Sequence, residues 1–127
     1  MMDIKEIIKQ MTFEEKAKLL AVSESMSTEA IARLGIPSKN LADGPHGVRV
    51  ESGEGNCTSL PCLSALAATW DTEMAELYGE TLTNECINRD IDMILGTGVN
   101  TKKNMLCGRN FEYFSEDPVL AGELSAS

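Results

Sequence analysis

Residues 41–50, LADGPHGVRV, place an acid, a histidine and an arginine directly after a short apolar run. The apolar pair at residues 41–42 predicts a short strand, and the glycines and proline after Asp43 predict that this strand ends in a loop. Because turns of every kind use these residue types, the stretch decides the fold only together with the rest of the chain.

A second strand is predicted by IDMIL at residues 91–95, which is followed by GTG at residues 96–98. A short, uninterrupted apolar run of this kind is typical of a strand buried in a parallel sheet. After the first strand, the segment through Pro61 contains several glycines and no clear periodicity. This predicts a long loop, and loops of such length often carry a functional site.

The segment before the second strand, residues 63–90, is predicted to be helical with an interruption at residues 69–71, where Asp71 can cap the second helix. Strand, loop, helix and second strand together make a βαβ unit. This alternation favours an α/β fold with a parallel sheet. Four apolar side chains of the helix fall near one stripe and are predicted to pack in the core: Met74, Leu77, Leu82 and Ile87.

Two segments before the first strand have helical patterns. Residues 3–20 carry apolar side chains on one face, and Thr12 with Glu15 makes a capping box that restarts the helix. A further short helix is predicted to begin at Ser27 and to stop at Gly35, a residue suited to the left-handed position beyond a helix end.

The last segment begins a helix, with Asp117 as its cap and Pro118 at its first position. Leu120 and Leu124 on this helix require a partner surface. The chain therefore contains two strand-helix units preceded by short helices. Because a closed eight-stranded (β/α)8 barrel needs ~250 residues, we expect residues 1–127 to form one incomplete domain with at most half of such a barrel.

The composition excludes several classes of partner. Eleven basic against twenty acidic side chains give a formal charge of −9, which disfavours nucleic acid and anionic membrane surfaces. The amphipathic start lacks the apolar core of a secretory signal, and no run approaches the ~20 apolar residues of a membrane span. We therefore expect a cytoplasmic protein that binds neither nucleic acid nor membranes.

Four cysteines are spread along the chain without a C-x-x-C pair: Cys57, Cys62, Cys86 and Cys107. Their spacing favours reduced thiols over a structural zinc site, which would need three or four of the thiolates because the chain has one histidine. A disulfide between Cys57 and Cys62 is the alternative in an oxidising compartment. We expect no metal and no cofactor.

Ligands of parallel α/β folds gather at the carboxyl ends of the strands, where both predicted strands are followed by polar loops. The first loop offers Asp43, His46 and Arg49. The second loop offers Asn100, Lys102, Lys103, Arg109, Asn110 and Glu112. A carboxylate that accepts hydrogen bonds, set beside guanidinium groups that donate them, suits adjacent hydroxyls, because each hydroxyl does both. This combination indicates a sugar.

The candidate residues have structural alternatives. Asp43 and Arg49 could form a salt bridge that only holds the loop. His46 is interpreted as a hydrogen-bonded structural residue rather than a catalytic base, because no partner set accompanies it. The GTG sequence at residues 96–98 lacks the third glycine and the following helix of a dinucleotide fingerprint, so nucleotide binding is not predicted.

Four stretches resemble successive signature sequences of one family: MTFEEKAKLL, RLGIPSKNLADGPHGVR, SALAATWD and GVNTKKNMLCGRNFEYFSEDPVLAGE. Over nearly its whole length the chain is similar to the amino-terminal domain of family 3 glycoside hydrolases, which include many bacterial and fungal β-glucosidases. The resemblance implies a (β/α)8 barrel or a variant of it. It also implies that Asp43 grips hydroxyls of the terminal sugar in subsite −1, with Arg49 and Arg109 as partners of that acid and of the sugar.

The chain departs from the family pattern at a few positions. Thr97 stands where relatives often have proline, Lys103 stands where they often have arginine, and CTSLPCLSA replaces a run similar to C-F-P-T. These departures surround the implied site and leave its acid and its two arginines in place.

The resemblance further implies that the nucleophilic aspartate, the acid/base and a sugar-binding lysine-histidine pair all lie outside this chain. We therefore expect the N-terminal portion of a retaining β-glycosidase of the β-glucosidase type, which hydrolyses terminal non-reducing β-D-glucosyl residues of a small β-glucoside or oligosaccharide. This portion alone is expected to be inactive. The alternative is a non-catalytic, truncated sugar-binding or interaction module. Unpaired sheet edges also predict self-association or pairing with the missing part of the barrel.

Overall fold

Two short parallel strands form the centre of the fold. The computed structural model describes residues 3–23, 26–49 and 56–127. Strand β1 (Leu41–Asp43) pairs with strand β2 (Met93–Leu95), with Leu41 opposite Met93 and Asp43 opposite Leu95. Both strands therefore end at the same edge of the sheet, as the predicted βαβ unit requires. Part of the long loop predicted after β1, residues 50–55, lies outside the described residues.

Two helices precede β1, and the second begins at the predicted capping box. Helix α1 (Ile4–Gln10) begins after Asp3, whose side chain accepts a hydrogen bond from the amide of Lys5 at 3.0 Å. Helix α2 (Phe13–Leu19) begins after a complete capping box. The Glu15 amide donates to Thr12 Oγ1 at 3.2 Å and the Thr12 amide donates to Glu15 Oε2 at 2.8 Å. Two backbone amides at the start of α2 that lack a partner within the helix are thereby hydrogen-bonded.

The prediction of a helix from Ser27 to Gly35 is wrong. Only one 3₁₀ turn forms there, Ala32–Leu34, and Gly35 ends it in the left-handed region at φ 66° as expected. The residues before the turn bond to distant backbone instead: the Thr28 amide donates to the carbonyl of Lys39 at 2.9 Å. Because these longer-range bonds satisfy the backbone in an extended form, the local helical pattern is overridden.

Two helices cross between the strands. Helix α3 (Leu63–Ala67) is followed by helix α4 (Thr72–Asn88). Asp71 caps α4 as predicted, because its carboxylate accepts hydrogen bonds from the amides of Glu73 at 3.0 Å and Met74 at 3.2 Å. The break between the helices, residues 68–71, therefore includes the predicted interruption at residues 69–71.

The stripe of α4 that faces the core differs from the predicted one. Leu82 is buried, whereas Met74, Leu77 and Ile87 are 45%, 55% and 67% exposed. The buried face is instead formed by Ala75, Tyr78, Leu82 and Cys86. These positions follow one another at intervals of three and four residues, so a stripe shifted by about one residue faces inward.

Helix α5 (Pro118–Ala126) completes the core. Asp117 caps it by accepting from the amide of Val119 at 2.8 Å, and Pro118 occupies its first position. Leu124, which was expected to require a partner surface, is buried. It belongs to the main core cluster of buried residues: Ala42, Val48, Leu63, Leu66, Ala67, Ala75, Tyr78, Leu82, Cys86, Phe114, Ala121 and Leu124.

Strand β2 is less buried than its apolar sequence predicts. Met93 and Leu95 are 52% and 47% exposed, and Ile94 is half-buried. The sheet of the described residues has two strands, so one edge and part of one face of β2 have no neighbour within them. Among these residues, none of the helices has the length and apolar character that crossing a membrane requires.

Candidate functional site

The loop after β1 turns back onto the end of the strand. The Arg49 amide donates to the Asp43 carbonyl at 2.8 Å, and the Gly44 amide donates to Asp43 Oδ1 at 3.1 Å. Among the described residues Asp43 and Arg49 meet through this backbone bond and form no side-chain ion pair. The salt bridge considered as an alternative is therefore not what holds this loop.

The loop after β1 lies close to the backbone of the segment that leads into α3. Gly47 has φ 127°, and a Cβ atom at this position would overlap the carbonyl oxygen of Thr58. Only glycine fits both the backbone conformation and the close approach. Gly47 thus allows the loop after β1 to pack directly against the segment that leads into α3.

His46 has the structural role that was predicted for it. Its Nε2 accepts a hydrogen bond from the Leu63 amide at 3.3 Å, and its carbonyl accepts one from the Leu60 amide at 2.8 Å. The imidazole ring also lies 5.5 Å from the ring of Phe111, measured between centroids. The side chain therefore joins the first loop to the start of α3 and to the second loop.

Tyr78 is a positioning residue that the sequence did not reveal. Its hydroxyl, on the buried face of α4, lies 2.7 Å from the Pro45 carbonyl oxygen and 3.0 Å from the Pro61 carbonyl oxygen. Burial, together with the nearby Cys62 thiol, raises the pKa of Tyr78 to about 12. The neutral hydroxyl thus ties α4 to both ends of the loop region that follows β1.

The loop after β2 is anchored on α3 by a half-buried lysine. Lys102 Nζ donates to Ser64 Oγ at 2.6 Å, and that oxygen lies 3.1 Å from the carbonyl oxygens of both Asn110 and Tyr113. Ser64 was not singled out from the sequence, because nothing in its neighbours indicates that a distant loop reaches it. Lys102, a candidate ligand group in the sequence, is used here to hold the loop.

Gly98 and Asn110 shape the same loop. A Cβ atom at Gly98 would overlap the Glu112 carbonyl oxygen, so the two ends of the loop approach at that point as closely as backbones can. The Asn110 side-chain amide donates to the carbonyl oxygens of Asn104 at 2.9 Å and Met105 at 3.2 Å. Asn110, like Lys102, therefore stabilises the loop.

Lys103 and Asn100 line a separate cavity beside the second loop. The cavity has a volume of about 580 Å³, and its other lining residues are Val99, Thr101, Asn104, Cys107, Asn110 and Tyr113. Neither Asp43 nor Arg109 lines this cavity. Asn100 and Lys103 thus face this cavity, whereas Arg109 lies outside it.

Arg109 lies at the start of the 3₁₀ turn Asn110–Glu112 and is held by the acid at the end of that turn. Its Nε and Nη2 atoms lie 2.7 Å and 2.6 Å from Glu112 Oε2. The hydrogen bond to Glu112 is the largest cause that raises the pKa of Arg109; the charges of Glu112 and Tyr113 follow, and that of Asp43 contributes least. Asp43 ends β1 and Arg109 lies on the loop after β2, so both follow the carboxyl ends of the paired strands. The two loops meet where the ring of His46 lies 5.5 Å from that of Phe111.

The arrangement presents one carboxylate and one exposed guanidinium on the same edge of the sheet. The Arg109 side chain is 72% exposed, while that of Glu112 is 19% exposed. The Asp43 side chain can accept hydrogen bonds and the Arg109 fork can donate them, which suits a ligand with neighbouring hydroxyl groups. Within the described residues, no group of three or more His, Cys, Asp or Glu side chains comes together as metal ligands.

Comparison with known proteins identifies the family. The family model described as "Glycosyl hydrolase family 3 N terminal domain" matches residues 2–127. The chain belongs to glycosyl hydrolase family 3. Its match covers nearly the whole sequence, including both loops at the carboxyl ends of β1 and β2.

Relatives of this family 3 chain are much longer. The thermostable beta-glucosidase B of Acetivibrio thermocellus is 46% identical over 98% of the chain, which corresponds to 18% of that protein. The Bacteroides ovatus beta-glucosidase BoGH3A is 40% identical over 95% of the chain and 18% of its own length. The chain thus spans less than a fifth of these two relatives.

A solved structure confirms the fold class. The beta-glucosidase from Kluyveromyces marxianus, in complex with glucose, superposes with a TM-score of 0.88 at 34% identity, covering 98% of the chain and 15% of that protein. The parallel β1–β2 pair and its helices are therefore an open part of the family's α/β barrel, as the sequence predicted.

Proposed function

We propose that this chain supplies the sugar-gripping side of subsite −1 in a retaining β-glucosidase. Asp43 accepts hydrogen bonds from hydroxyls of a terminal, non-reducing β-D-glucosyl residue, and Arg109 and Arg49 donate to the same ring or orient the acid. The substrate is a small β-glucoside or oligosaccharide. Fixed bonds to hydroxyls that do not react hold the ring where its anomeric carbon can be attacked.

One observation carries the proposal: the loops that bear Asp43 and Arg109 follow the carboxyl ends of paired strands and meet through the rings of His46 and Phe111. Glu112 takes up two of the five N–H donors of Arg109 among the described residues, so three remain to reach a ligand. The Arg109 guanidinium is therefore held by Glu112 through two of its N–H groups, and its other N–H groups are available to a ligand. Charge-assisted hydrogen bonds to hydroxyls need such an arrangement.

The relatives support the class of ligand. The Acetivibrio thermocellus and Bacteroides ovatus relatives are β-glucosidases, and the Kluyveromyces marxianus β-glucosidase was solved in complex with glucose. Glucose offers several adjacent hydroxyls, each of which can donate to a carboxylate and accept from a guanidinium.

The bond-breaking groups are proposed to lie outside this chain. A retaining mechanism requires two carboxyl groups ~5–5.5 Å apart, one as nucleophile and one as acid/base. Glu112, the carboxylate beside Arg109, is engaged with that guanidinium at 2.6 Å. Asp43 is proposed to accept hydrogen bonds from the sugar hydroxyls, so it is not assigned as nucleophile or acid/base. The chain alone is therefore proposed to bind sugar without hydrolysing it.

A non-catalytic interaction module is the second candidate, and the exposure of β2 favours it. Met93 and Ile87 are 52% and 67% exposed, and an apolar groove of about 390 Å³ runs between α4 and β2. Exposed apolar surface of this kind is typical of a contact with another polypeptide. In this form the chain would pair with the missing part of the barrel or with itself.

A chromogenic aryl β-glucoside separates an enzyme from a binder. We expect no sustained release of the aryl group by the chain alone, and we expect saturation-transfer NMR signals from glucose protons that Asp43→Asn abolishes. Sustained release that Asp43→Asn removes would show that the chain carries its own catalytic carboxyls. Absence of transfer to glucose in the folded wild-type chain would favour the interaction module.

A further inference from the structure

The segment that leads into α3 is clamped along one side of α4. Arg89 Nη2 donates to the Asn56 carbonyl at 2.9 Å, and the Thr58 amide donates to Glu85 Oε1 at 2.7 Å. Residues 85 and 89 are one turn apart and face the same way. The residue between the two clamps is Cys57.

The clamp holds Cys57 against the part of the core that contains Cys86. Cys57 is half-buried and packs against the core cluster that contains the buried Cys86, and both are free thiols. Cys86 is one of the buried residues of that cluster on α4, beside the helix positions that hold the backbone on either side of Cys57. Burial raises the pKa of the Cys86 thiol, and the charges of Glu85 and Cys57 raise it further.

We propose that Cys57 and Cys86 are a disulfide-forming pair that a small-molecule disulfide such as oxidised glutathione converts to an intramolecular cross-link. The Cys57 thiolate, the more accessible of the two, attacks a sulfur of oxidised glutathione and releases one glutathione thiolate. The Cys86 thiolate then attacks Cys57 Sγ, forms the protein disulfide and releases the second glutathione thiolate. The two protons from the protein thiols go to the two glutathione thiolates, so one disulfide is reduced as the other is made.

The cross-link would act on the loop that positions the candidate site. Residues 57–62 lie between the clamp and α3, and the Leu60 amide and the Pro61 carbonyl contact His46 and Tyr78 respectively. A covalent bond from Cys57 to α4 restricts this segment. The pairing differs from the Cys57–Cys62 disulfide, which the sequence analysis kept only as the alternative for an oxidising compartment.

Peptide mapping of the oxidised 127-residue chain tests the proposal. The folded chain is incubated with oxidised glutathione, remaining thiols are alkylated, and the chain is cleaved with trypsin and a glutamate-specific protease. Cys57 and Cys62 then lie in peptide 55–73, Cys86 lies in 86–89, and Cys107 lies in 104–109. We expect two alkylated thiols out of four and a linked pair of peptides 55–73 and 86–89.

Two serine variants locate the bond within peptide 55–73. Cys62→Ser should give the same linked pair, whereas Cys57→Ser should abolish it. The same treatment in concentrated guanidinium should remove the preference for this pair, because the fold creates it. A bond between Cys57 and Cys62, a link to peptide 104–109, glutathione adducts alone, or no loss of free thiols would each overturn the proposal.

Discussion

The Tyr78 hydroxyl lies 2.7 Å from the carbonyl oxygen of Pro45, which ties the longest helix to the loop that follows β1. The same hydroxyl lies 3.0 Å from the Pro61 carbonyl oxygen. One buried side chain thus fixes both ends of the loop region beside Asp43. The geometry of the candidate site therefore depends on a residue that does not touch the proposed sugar.

Replacing Tyr78 by phenylalanine should weaken the fold. The variant leaves two carbonyl oxygens without their shared donor, which is expected to lower the free energy of unfolding by about 1–2 kcal/mol. Urea denaturation followed by circular dichroism measures the change. Tyr113→Phe is the matched control and should change the free energy by less than ~0.5 kcal/mol. Equal losses in the two variants would refute the anchoring role of Tyr78.

Tyr78 should also make stability depend on alkaline pH. Its pKa is raised to about 12 in the folded chain, against ~10 for an unfolded tyrosine. Because the folded pKa is the higher one, the stabilisation is fully present below pH ~10 and is lost as the pH rises towards the folded pKa. Urea midpoints measured between pH 9 and 12 should fall more steeply for the wild-type chain than for Tyr78→Phe. Parallel curves would contradict this assignment.

Two glycine variants should change stability in opposite directions. Gly98→Ala places a Cβ on the Glu112 carbonyl oxygen, so we expect a loss of about 1–3 kcal/mol from overpacking. Gly79 lies inside α4 with open space around the added methyl group, so Gly79→Ala should stabilise by about 0.5–1 kcal/mol through helix propensity. Thermal denaturation of both variants checks the pair. A tolerated Gly98→Ala would show that the loop after β2 is less tightly packed than described.

Glu112 should control sugar binding through Arg109. Glu112→Gln removes the charge that holds the exposed guanidinium, so we expect glucose affinity to fall on the order of tenfold, which corresponds to about 1.4 kcal/mol. The free energy of unfolding should change little, because the Arg109 side chain of the pair is largely exposed. NMR titration measures the affinity, and Glu116→Gln, which changes a neighbouring exposed acid, is the control. Unchanged affinity in Glu112→Gln would argue against a role for this ion pair.

Local signals account for the parts of the fold that the sequence predicts. Asp71 and Asp117 cap their helices where expected, because a cap requires only a side chain and the amides two or three residues later. The parallel pairing of β1 and β2 follows from the βαβ order. Since parallel strands end at one edge, the loops that carry Asp43 and Arg109 could be expected at the same edge of the sheet.

Features that depend on distant contacts could not be predicted from the sequence. The helix predicted from Ser27 does not form because Thr28 bonds to Lys39. Ser64 and Tyr78 position loops that lie far from them in the sequence and contact them in the fold. Residue spacing along the chain does not predict such contacts. Lys102 was grouped with the ligand candidates, because a lysine in a polar loop gives no sign of whether its partner is a ligand or a helix.

Titration of the isotope-labelled chain with glucose tests the central claim most directly. The claim is that Asp43 and Arg109, carried by adjacent loops at one edge of the sheet, grip the same sugar. We expect saturable shifts at the amides of Gly44 and Arg49 and at the Arg109 Nε–H signal, all lost in Asp43→Asn, while signals of α1 stay unchanged. Shifts confined to other residues, or identical titrations of the wild-type chain and Asp43→Asn, would contradict the account.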